Sequence, residues 1–307
     1  MEKYSSKIAV VIPCYNEEKS IGQTIEEHRS KIQGADIYVI DNNSKDNTSK
    51  VAEEHGAIVI HEYKQGKGNA IKRAFRDIDA ECYFMADGDN TYPADRAQEM
   101  IDMVLEGKAD MVVGDRLSST YFTENKRRFH NFGNVLVRKL INMIFNAKVN
   151  DIMTGSRAMS YNFVKGFPIT SRGFELETEM TIHALDKNYK IEEITVPYQD
   201  RDNDNPSKLN TISDGYKVLR TVARLFKEYK PSVFFNLIAF CALVFSICLL
   251  VPTLIGYVNT GMVEKFPSLI ASGIFLLVAL LLWITGIILK VINRKEREIY
   301  ELIINMK

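Results

Sequence analysis

Two uncharged apolar stretches, Ser232–Gly256 and Phe266–Leu289, close the chain. Each has the ~20 residues that an α-helix needs to cross the hydrocarbon core of a bilayer. The expected molecule is therefore a soluble-looking α/β domain followed by a membrane hairpin. Neither stretch contains a charged side chain, and intramembrane charge is what usually marks an ion path or a proton relay. The hairpin reads as an anchor rather than as part of a transporter or channel.

The placement of charge says more than its total. Lys+Arg and Asp+Glu both sum to 39, so the chain lacks the basic bias of a nucleic-acid binder. Basic residues crowd the segment before the first stretch (Lys217, Arg220, Arg224, Lys227, Lys230) and the segment after the second (Lys290, Arg294, Lys295, Arg297). The connecting loop Tyr257–Lys265 holds a single Lys. Positive residues stay on the cytoplasmic side, so both ends are expected there, in a multi-pass protein of the cell membrane. The N-terminal run IAVVIP is too short for a signal-peptide core, which keeps the α/β domain cytoplasmic as well. The expected division is a domain over 1–212, an amphipathic juxtamembrane helix over 213–231, the hairpin over 232–292 and a cytoplasmic tail over 293–307. Four cysteines, two of them (Cys241, Cys248) in the first apolar stretch, form neither a disulfide framework nor a spaced metal site, and all four read as packing residues.

From Lys7 onward, short β-rich runs alternate with helical patterns: KIAVVIP and Ser20–Gln33, DIYVID and Thr48–His55, AIVI and Lys67–Asp77, CYFMA and Ala94–Leu105, then DMVVG. That alternation implies βαβ units and a mainly parallel sheet. Ligands of such sheets sit beyond the carboxyl ends of the strands. The polar clusters CYNEE, DNNS and DGDN follow the first, second and fourth runs and should converge on one crevice. After Gly114 the regular alternation stops. KRRFHNFGNVLVRKLINMIF and SDGYKVLRTVARLFKEYK read as basic amphipathic helices, of the kind that lie against anionic head groups or pack on the sheet with their charges solvated.

Asp87 and Asp89 flank Gly88 directly after a strand, so their carboxylates can share one hard cation while the backbone approaches a phosphate. Mg²⁺ and Mn²⁺ favour such oxygen ligands together with substrate phosphates. Asp41, ending the second strand, can accept hydrogen bonds from ribose hydroxyls or a base; an Asx turn or N-cap within DNNSKDNT is the plainer reading and suits Asp46 and Asn47 better. The glycines of QGKGNA could let a loop approach phosphate, yet the dinucleotide and P-loop patterns are both missing. An oxidoreductase or a P-loop NTPase is disfavoured.

Taken in order, VIPCYNEE, VIDNNSKDNT, QGKGNAI, MADGDNTYP, VVGDRL, NDIMTGSRAMS and GFELETEMTIHALDKNYKIEEITVPYQDR with SKLNTISDG, followed by two apolar stretches, resemble the family 2 glycosyltransferases of the dolichyl- and undecaprenyl-phosphate sugar synthase type. The resemblance covers essentially the whole chain. It implies a glycosyltransferase-A fold, a nucleotide-diphosphate sugar donor with UDP favoured, Mg²⁺ or Mn²⁺, a polyprenyl phosphate acceptor such as undecaprenyl phosphate, and inversion at the anomeric carbon, for cell-envelope glycosylation. It further implies that Pro13, Tyr15, Glu17 and Asp41 bind the nucleoside, that Lys67 lies in a loop closing near the donor, and that Asp87, Gly88 and Asp89 handle metal and diphosphate. Arg116, with Arg127 or Arg128, would hold the acceptor phosphate, and Asp151, Arg157 and Glu177 would help to build the acceptor side. A homo-oligomer is left open.

Two departures stand out. Asn42 replaces the second of two consecutive acids, and the Q-x-x-R-W signature of processive polysaccharide synthases is absent, the only tryptophan being Trp283. Two alternatives are transfer to a lipid hydroxyl, which would need Glu177 or Glu179 as base, and a non-catalytic sugar-nucleotide-binding scaffold.

Overall fold

The computed structural model describes residues 4–305 except 90, 92, 119–127, 172, 174, 198–219, 221, 222, 225 and 264, with residues 128–134 and 303–305 described by backbone alone. The chain divides into two compact units, Met1–Val222 and Ala223–Lys307.

The first unit alternates as its sequence does. It runs β1 Tyr4–Cys14, α1 Ile21–Lys31, β2 Ala35–Asp41, α2 Thr48–Glu54, β3 Ile58–His61, α3 Lys67–Asp77, β4 Ile78–Met85, a 3₁₀ turn at Ala94–Arg96, α4 Ala97–Leu105 and β5 Met111–Asp115. Then follow α5 Arg128–Phe145, β6 Arg157–Ser160, α6 Tyr161–Gly166, α7 Leu176–Asp186 and β7 Ile191–Thr195. These strands make one sheet of order β3-β2-β1-β4-β6-β5-β7. All neighbours are parallel except β6, which runs antiparallel to both β4 and β5. The sheet is mainly parallel, as its alternating pattern implies.

β1 is apolar on both faces because both are covered, as expected for a parallel sheet sandwiched by helices. Ile8, Val10 and Ile12 pack with Ile21 and Ile25 of α1 and Met100 and Ile101 of α4. Ala9 and Val11 point the other way, into a cluster with Ile71 and Phe75 of α3, Phe163 of α6 and Met180 of α7. Each large aliphatic or aromatic side chain buried in this way stabilises the fold by ~1.5–3 kcal/mol. Pro13 is tolerated in a central strand because the pairing of β1 with β4 ends at Val11, so no ladder bond needs its missing N–H. His183, wedged between Phe163 and Phe167, has its pKa lowered to about 4 by burial, with the charge of Lys187 adding to the effect.

β6 and β7 escape a reading based on alternation. β6 has only four residues and opens with an arginine, and β7 reads IEEIT. Tertiary pairing, not propensity, makes them strands.

In the second unit, α8 Pro231–Thr260 and α9 Phe266–Asn305 are both long and apolar enough to cross a membrane. Small residues recur every seventh position on each. Ser246 donates to the Ser272 carbonyl at 2.7 Å, Ala239 and Ala279 are buried, and a Cβ on Gly286 would lie 3.5 Å from Ser232 Cα. Those pairings share one antiparallel register. Small side chains let helix backbones approach closely where lipid offers no hydrophobic drive, while Leu237, Phe240, Leu277 and Leu281 face outward. The span expected at Ser232–Gly256 continues to Thr260, where Gly261 ends it in the left-handed conformation. α9 does not stop near 292 but runs on as a charged helix in which Glu298 receives Arg294 and Lys295.

Tyr83 links packing to polar satisfaction in the core. Its hydroxyl donates to the Ile78 carbonyl at 2.8 Å and accepts from the Ala80 N–H at 3.0 Å. Tyr83→Phe takes the hydroxyl from the buried Ala80 N–H, while the Ile78 carbonyl keeps the Lys165 ammonium at 2.6 Å, so chemical denaturation should show a loss of ~1–3 kcal/mol; an unchanged midpoint would contradict the structure.

Candidate active site

Three parallel strands, β1, β2 and β4, end on the same edge of the sheet, and between β1 and β4 the order of connection reverses. That switch point is where α/β sheets open a crevice. The loops after β1 and β2 each carry an asparagine in the left-handed conformation, Asn16 at φ 53° and Asn43 at φ 64°. Asn16 Oδ1 accepts from the Lys45 N–H at 2.8 Å, and the Asn16 N–H donates to Ser44 Oγ at 3.0 Å. Glu17 is buried, its N–H donating to Thr48 Oγ1 at 2.9 Å. Tyr15 is half-buried beside it.

Asp41 closes β2 as expected. Burial works against its charge, but the Ser44 N–H at 3.1 Å, the Ser49 hydroxyl at 2.8 Å and His61 Nδ1 at 3.3 Å more than offset that, and its pKa lies below the usual carboxylate range. Asp41 therefore presents a fixed anion. Asp46 makes the Asx turn read from the sequence, accepting from the Thr48 N–H at 3.1 Å, whereas Asn47 makes no side-chain cap.

Asn42 explains its own departure from a second acid. Its Nδ2 donates to the carbonyls of Glu62 and Lys64 at 3.0 and 2.8 Å, and its Oδ1 accepts the Gly66 N–H at 2.6 Å. A carboxylate could not make the first two bonds. Asn42 thereby shapes the 62–66 segment that delivers Lys67 at the first position of α3, behind Gly66 at φ 128°.

Lys67 reaches the centre of the site. Its Nζ lies 2.6 Å from Asp87 Oδ1 and 2.6 Å from Glu177 Oε1. Burial disfavours the ammonium, yet the two carboxylates outweigh it and raise its pKa, so Lys67 stays charged. Gly88 is obligatory on packing grounds: a Cβ there would lie 2.7 Å from Cys14 Sγ. Its carbonyl accepts from Ser20 Oγ at 2.8 Å, across the crevice. Asp89 accepts from the Thr91 hydroxyl at 2.7 Å. Burial first, then the carboxylates of Glu17, Asp41, Asp89 and Asp87, push the Cys14 thiol well up, which agrees with a packing role.

The far wall is the loop entering β6. Arg116, just after β5, donates from Nε to Asp151 Oδ2 at 2.8 Å and from Nη2 to the Met153 carbonyl at 3.2 Å. Glu193 of β7 accepts the Asn150 N–H at 2.7 Å and the Asp151 N–H at 3.2 Å; burial raises its pKa against those bonds. Arg157 is wholly buried and donates to the carbonyls of Ile152 and Thr154 and to Thr181 Oγ1. The loop so held brings Gly155 against Asp87, whose carboxylate would collide with any Cβ there. Glu179 accepts from the backbone N–H groups of Thr170 and Ser171, which suits it to holding that turn and not to acting as a base. Arg127 lies outside the described residues, as does the side chain of Arg128, which opens α5.

Asp87 and Asp89 supply oxygen ligands of the type Mg²⁺ and Mn²⁺ prefer, and the Lys67 ammonium on Asp87 Oδ1 marks that oxygen as a seat for positive charge. No cluster of three or more His, Cys, Asp or Glu forms a metal cage among the described residues. The pair fits a cation whose remaining positions are filled by a ligand's oxygens.

The family described as Glycosyl transferase family 2 matches residues 9–166, from β1 to the end of α6. The chain belongs to glycosyltransferase family 2. It is 31% identical over 236 residues to glycosyltransferase AglJ of Haloferax volcanii, covering 76% of this chain and 77% of that one. It is 29% identical over 221 residues to the dolichyl-phosphate hexose transferase of the same organism, covering 72% of this chain and 94% of the other. In structure it resembles glucosyl-3-phosphoglycerate synthase from Mycobacterium tuberculosis in complex with Mn²⁺, UDP and glucosyl-3-phosphoglycerate, with TM-score 0.58 and 20% identity over 72% of this chain and 79% of that one. The fold is of the glycosyltransferase-A type.

In this glycosyltransferase Lys67, Asp87 and Glu177 meet, although the sequence motifs name them for the donor loop, the metal pair and the acceptor side separately. The motifs do not announce Asn42 as a loop organiser, nor Ser20, Gly155 and Glu193 as supports. Asn42→Asp places a carboxylate against two carbonyls in a buried position. We expect it to cost ~1–3 kcal/mol in unfolding free energy and to speed limited proteolysis within residues 62–66; the two bonds donated by Asn42 are dispensable if neither changes.

Proposed function

We propose that this family 2 glycosyltransferase moves a hexose or N-acetylhexosamine from a UDP-sugar to a polyprenyl phosphate, undecaprenyl phosphate fitting best, at a membrane surface and with inversion. The observation that carries the reading is Asp87, two residues from Asp89, against the charged Lys67 at the switch-point crevice, in a chain that also holds two bilayer-length helices. A relative named as a dolichyl-phosphate hexose transferase and a structural neighbour holding UDP and Mn²⁺ support it.

A phosphate oxygen of the acceptor attacks the anomeric carbon as the bond from that carbon to the UDP oxygen breaks on the opposite face, so one phosphodiester forms and UDP departs. With a second pKa near 6, the acceptor phosphate is already largely anionic and needs no strong general base. This favours a lipid phosphate over a lipid hydroxyl, since Glu177 is paired with Lys67 and Glu179 holds a turn. A divalent cation bound by Asp87 and Asp89 would stabilise the charge developing on the diphosphate. Pro13, Tyr15, Glu17 and Asp41 line the nucleoside end, with Asp41 in reach of ribose hydroxyls or the base. Arg116, Arg127 and Arg128 are proposed to draw in the acceptor phosphate, Arg116 also holding Asp151 of the loop that ends at Arg157.

The basic residues flanking the hairpin support a topology with the α/β domain and both hairpin ends in the cytoplasm. A cysteine introduced at Asn259 should react with an impermeant thiol reagent in intact cells and one at Lys307 should not; the reverse pattern overturns this topology.

The activity test is incubation of membranes with labelled nucleotide sugars and polyprenyl phosphate, then solvent extraction for an acid-labile sugar lipid. Asp89→Asn should abolish that product while the protein remains folded and inserted, and near-normal turnover at saturating Mn²⁺ would refute the metal site. Arg127→Ala and Arg128→Ala should each lower kcat/KM for the acceptor about ten- to hundredfold, the loss of a charge-assisted contact, with donor affinity unchanged.

A further inference from the structure

Lys67 is shared between two carboxylates that differ in burial. The side chain of Glu177 is 4% exposed and that of Asp87 is 23% exposed. A buried carboxylate stripped of its partner is strongly destabilising, so Glu177 needs Lys67 whatever else enters the site. Asp87 is the accessible one, and under the metal-site reading above it is the one a divalent cation would share with Asp89. A dication and an ammonium cannot both sit on Asp87 Oδ1, since like charges at contact distance repel strongly in a partly desolvated site.

We propose that Lys67 is a tethered cation that fills the metal side of Asp87 while the donor is absent, and that Glu177 is the positioning residue that keeps it when metal arrives. Free divalent cation then competes with a covalently attached ammonium and binds weakly. Nucleoside diphosphate changes the balance, because its negative charge gives both the cation and the ammonium a partner. Metal and diphosphate therefore bind cooperatively, and Glu177 sets how readily Lys67 lets Asp87 go. The geometry makes this specific to Glu177: it lies 110 residues along the chain from Lys67, on α7, and accepts the same ammonium at the same distance.

The test measures Mn²⁺ binding by electron paramagnetic resonance on the full-length protein in detergent, without turnover, with and without UDP. Lys67→Gln removes the competitor and should tighten Mn²⁺ binding without UDP at least tenfold, while shrinking the gain that UDP gives. Glu177→Gln leaves Lys67 with Asp87 alone and should weaken Mn²⁺ binding below wild type. A merely structural role would move both variants in the same direction. The double variant Lys67→Gln with Glu177→Gln removes one charge of each sign, and should bind Mn²⁺ like Lys67→Gln even if that single variant folds poorly. The proposal is overturned if Lys67→Gln and the double variant bind Mn²⁺ no tighter than wild type, or if Glu177→Gln binds it as well or better. Asp89→Asn separates the two readings. If it binds Mn²⁺ as wild type does, the metal site itself is misassigned and the proposal falls with it; if it loses Mn²⁺ while Lys67→Gln changes nothing, only the competition by Lys67 is refuted.

Discussion

The ammonium of Lys67 between Asp87 and Glu177 is the contact on which the rest of the site depends, because it joins three parts of the chain that share no local sequence relationship. Asp87 arrives on the loop after β4, Lys67 on the first turn of α3 and Glu177 on α7. Two carboxylates this close would repel one another without a cation between them. With Lys67 in place they become a fixed, nearly buried charge cluster at the mouth of the crevice. Reorganising such a cluster costs little once a ligand supplies replacement charge, which is the electrostatic preorganisation that group transfer to and from phosphates exploits.

Around that cluster the protein uses neutral hydrogen bonds to set backbone, and buried ion pairs to set loops. Asn42 fixes the approach to Lys67, and Ser20 holds the Gly88 carbonyl across the switch point. On the opposite wall Arg116, Asp151, Arg157 and Glu193 converge on the eight residues before β6. Buried ion pairs add little stability over a well-packed apolar alternative, so their value here is geometric: Gly155 must meet Asp87 closely enough that no side chain fits. Arg116 and Arg157 are thereby tied to carbonyls and a carboxylate of this loop.

The hairpin follows a different packing pattern. α8 and α9 meet by close approach along Ala239, Ser246, Ser272, Ala279 and Gly286, with a hydrogen bond from Ser246 and an edge-on contact between the rings of Phe245 and Phe275, the small-residue packing that serves helices where lipid offers no hydrophobic drive. Leu237, Phe240, Leu277 and Leu281 face out, as suits helices long and apolar enough to cross a membrane. The charged continuation of α9 stays helical through pairs three and four residues apart, of the kind that support an exposed helix.

The sequence by itself determined what depends on short-range pattern. Strict alternation of apolar runs and helical periods was enough for β1 to β5 and their helices, including α3 at Lys67–Asp77, and for the convergence of the loops at Asp41 and Asp87 on one edge. The two apolar stretches announced bilayer-length helices because their length and lack of charge are local properties. Only the tertiary structure decided the rest. β6 and β7 are strands because neighbours pair with them, not because RAMS or IEEIT prefers extension. Glu177 meets Lys67, Arg157 is wholly buried, and Glu193 steadies a loop some forty residues away, through contacts whose partners leave no periodic trace in either segment. Loop-closing hydrogen bonds of this kind are chosen by the packed fold, where a buried donor or acceptor must find a partner wherever the chain happens to supply one.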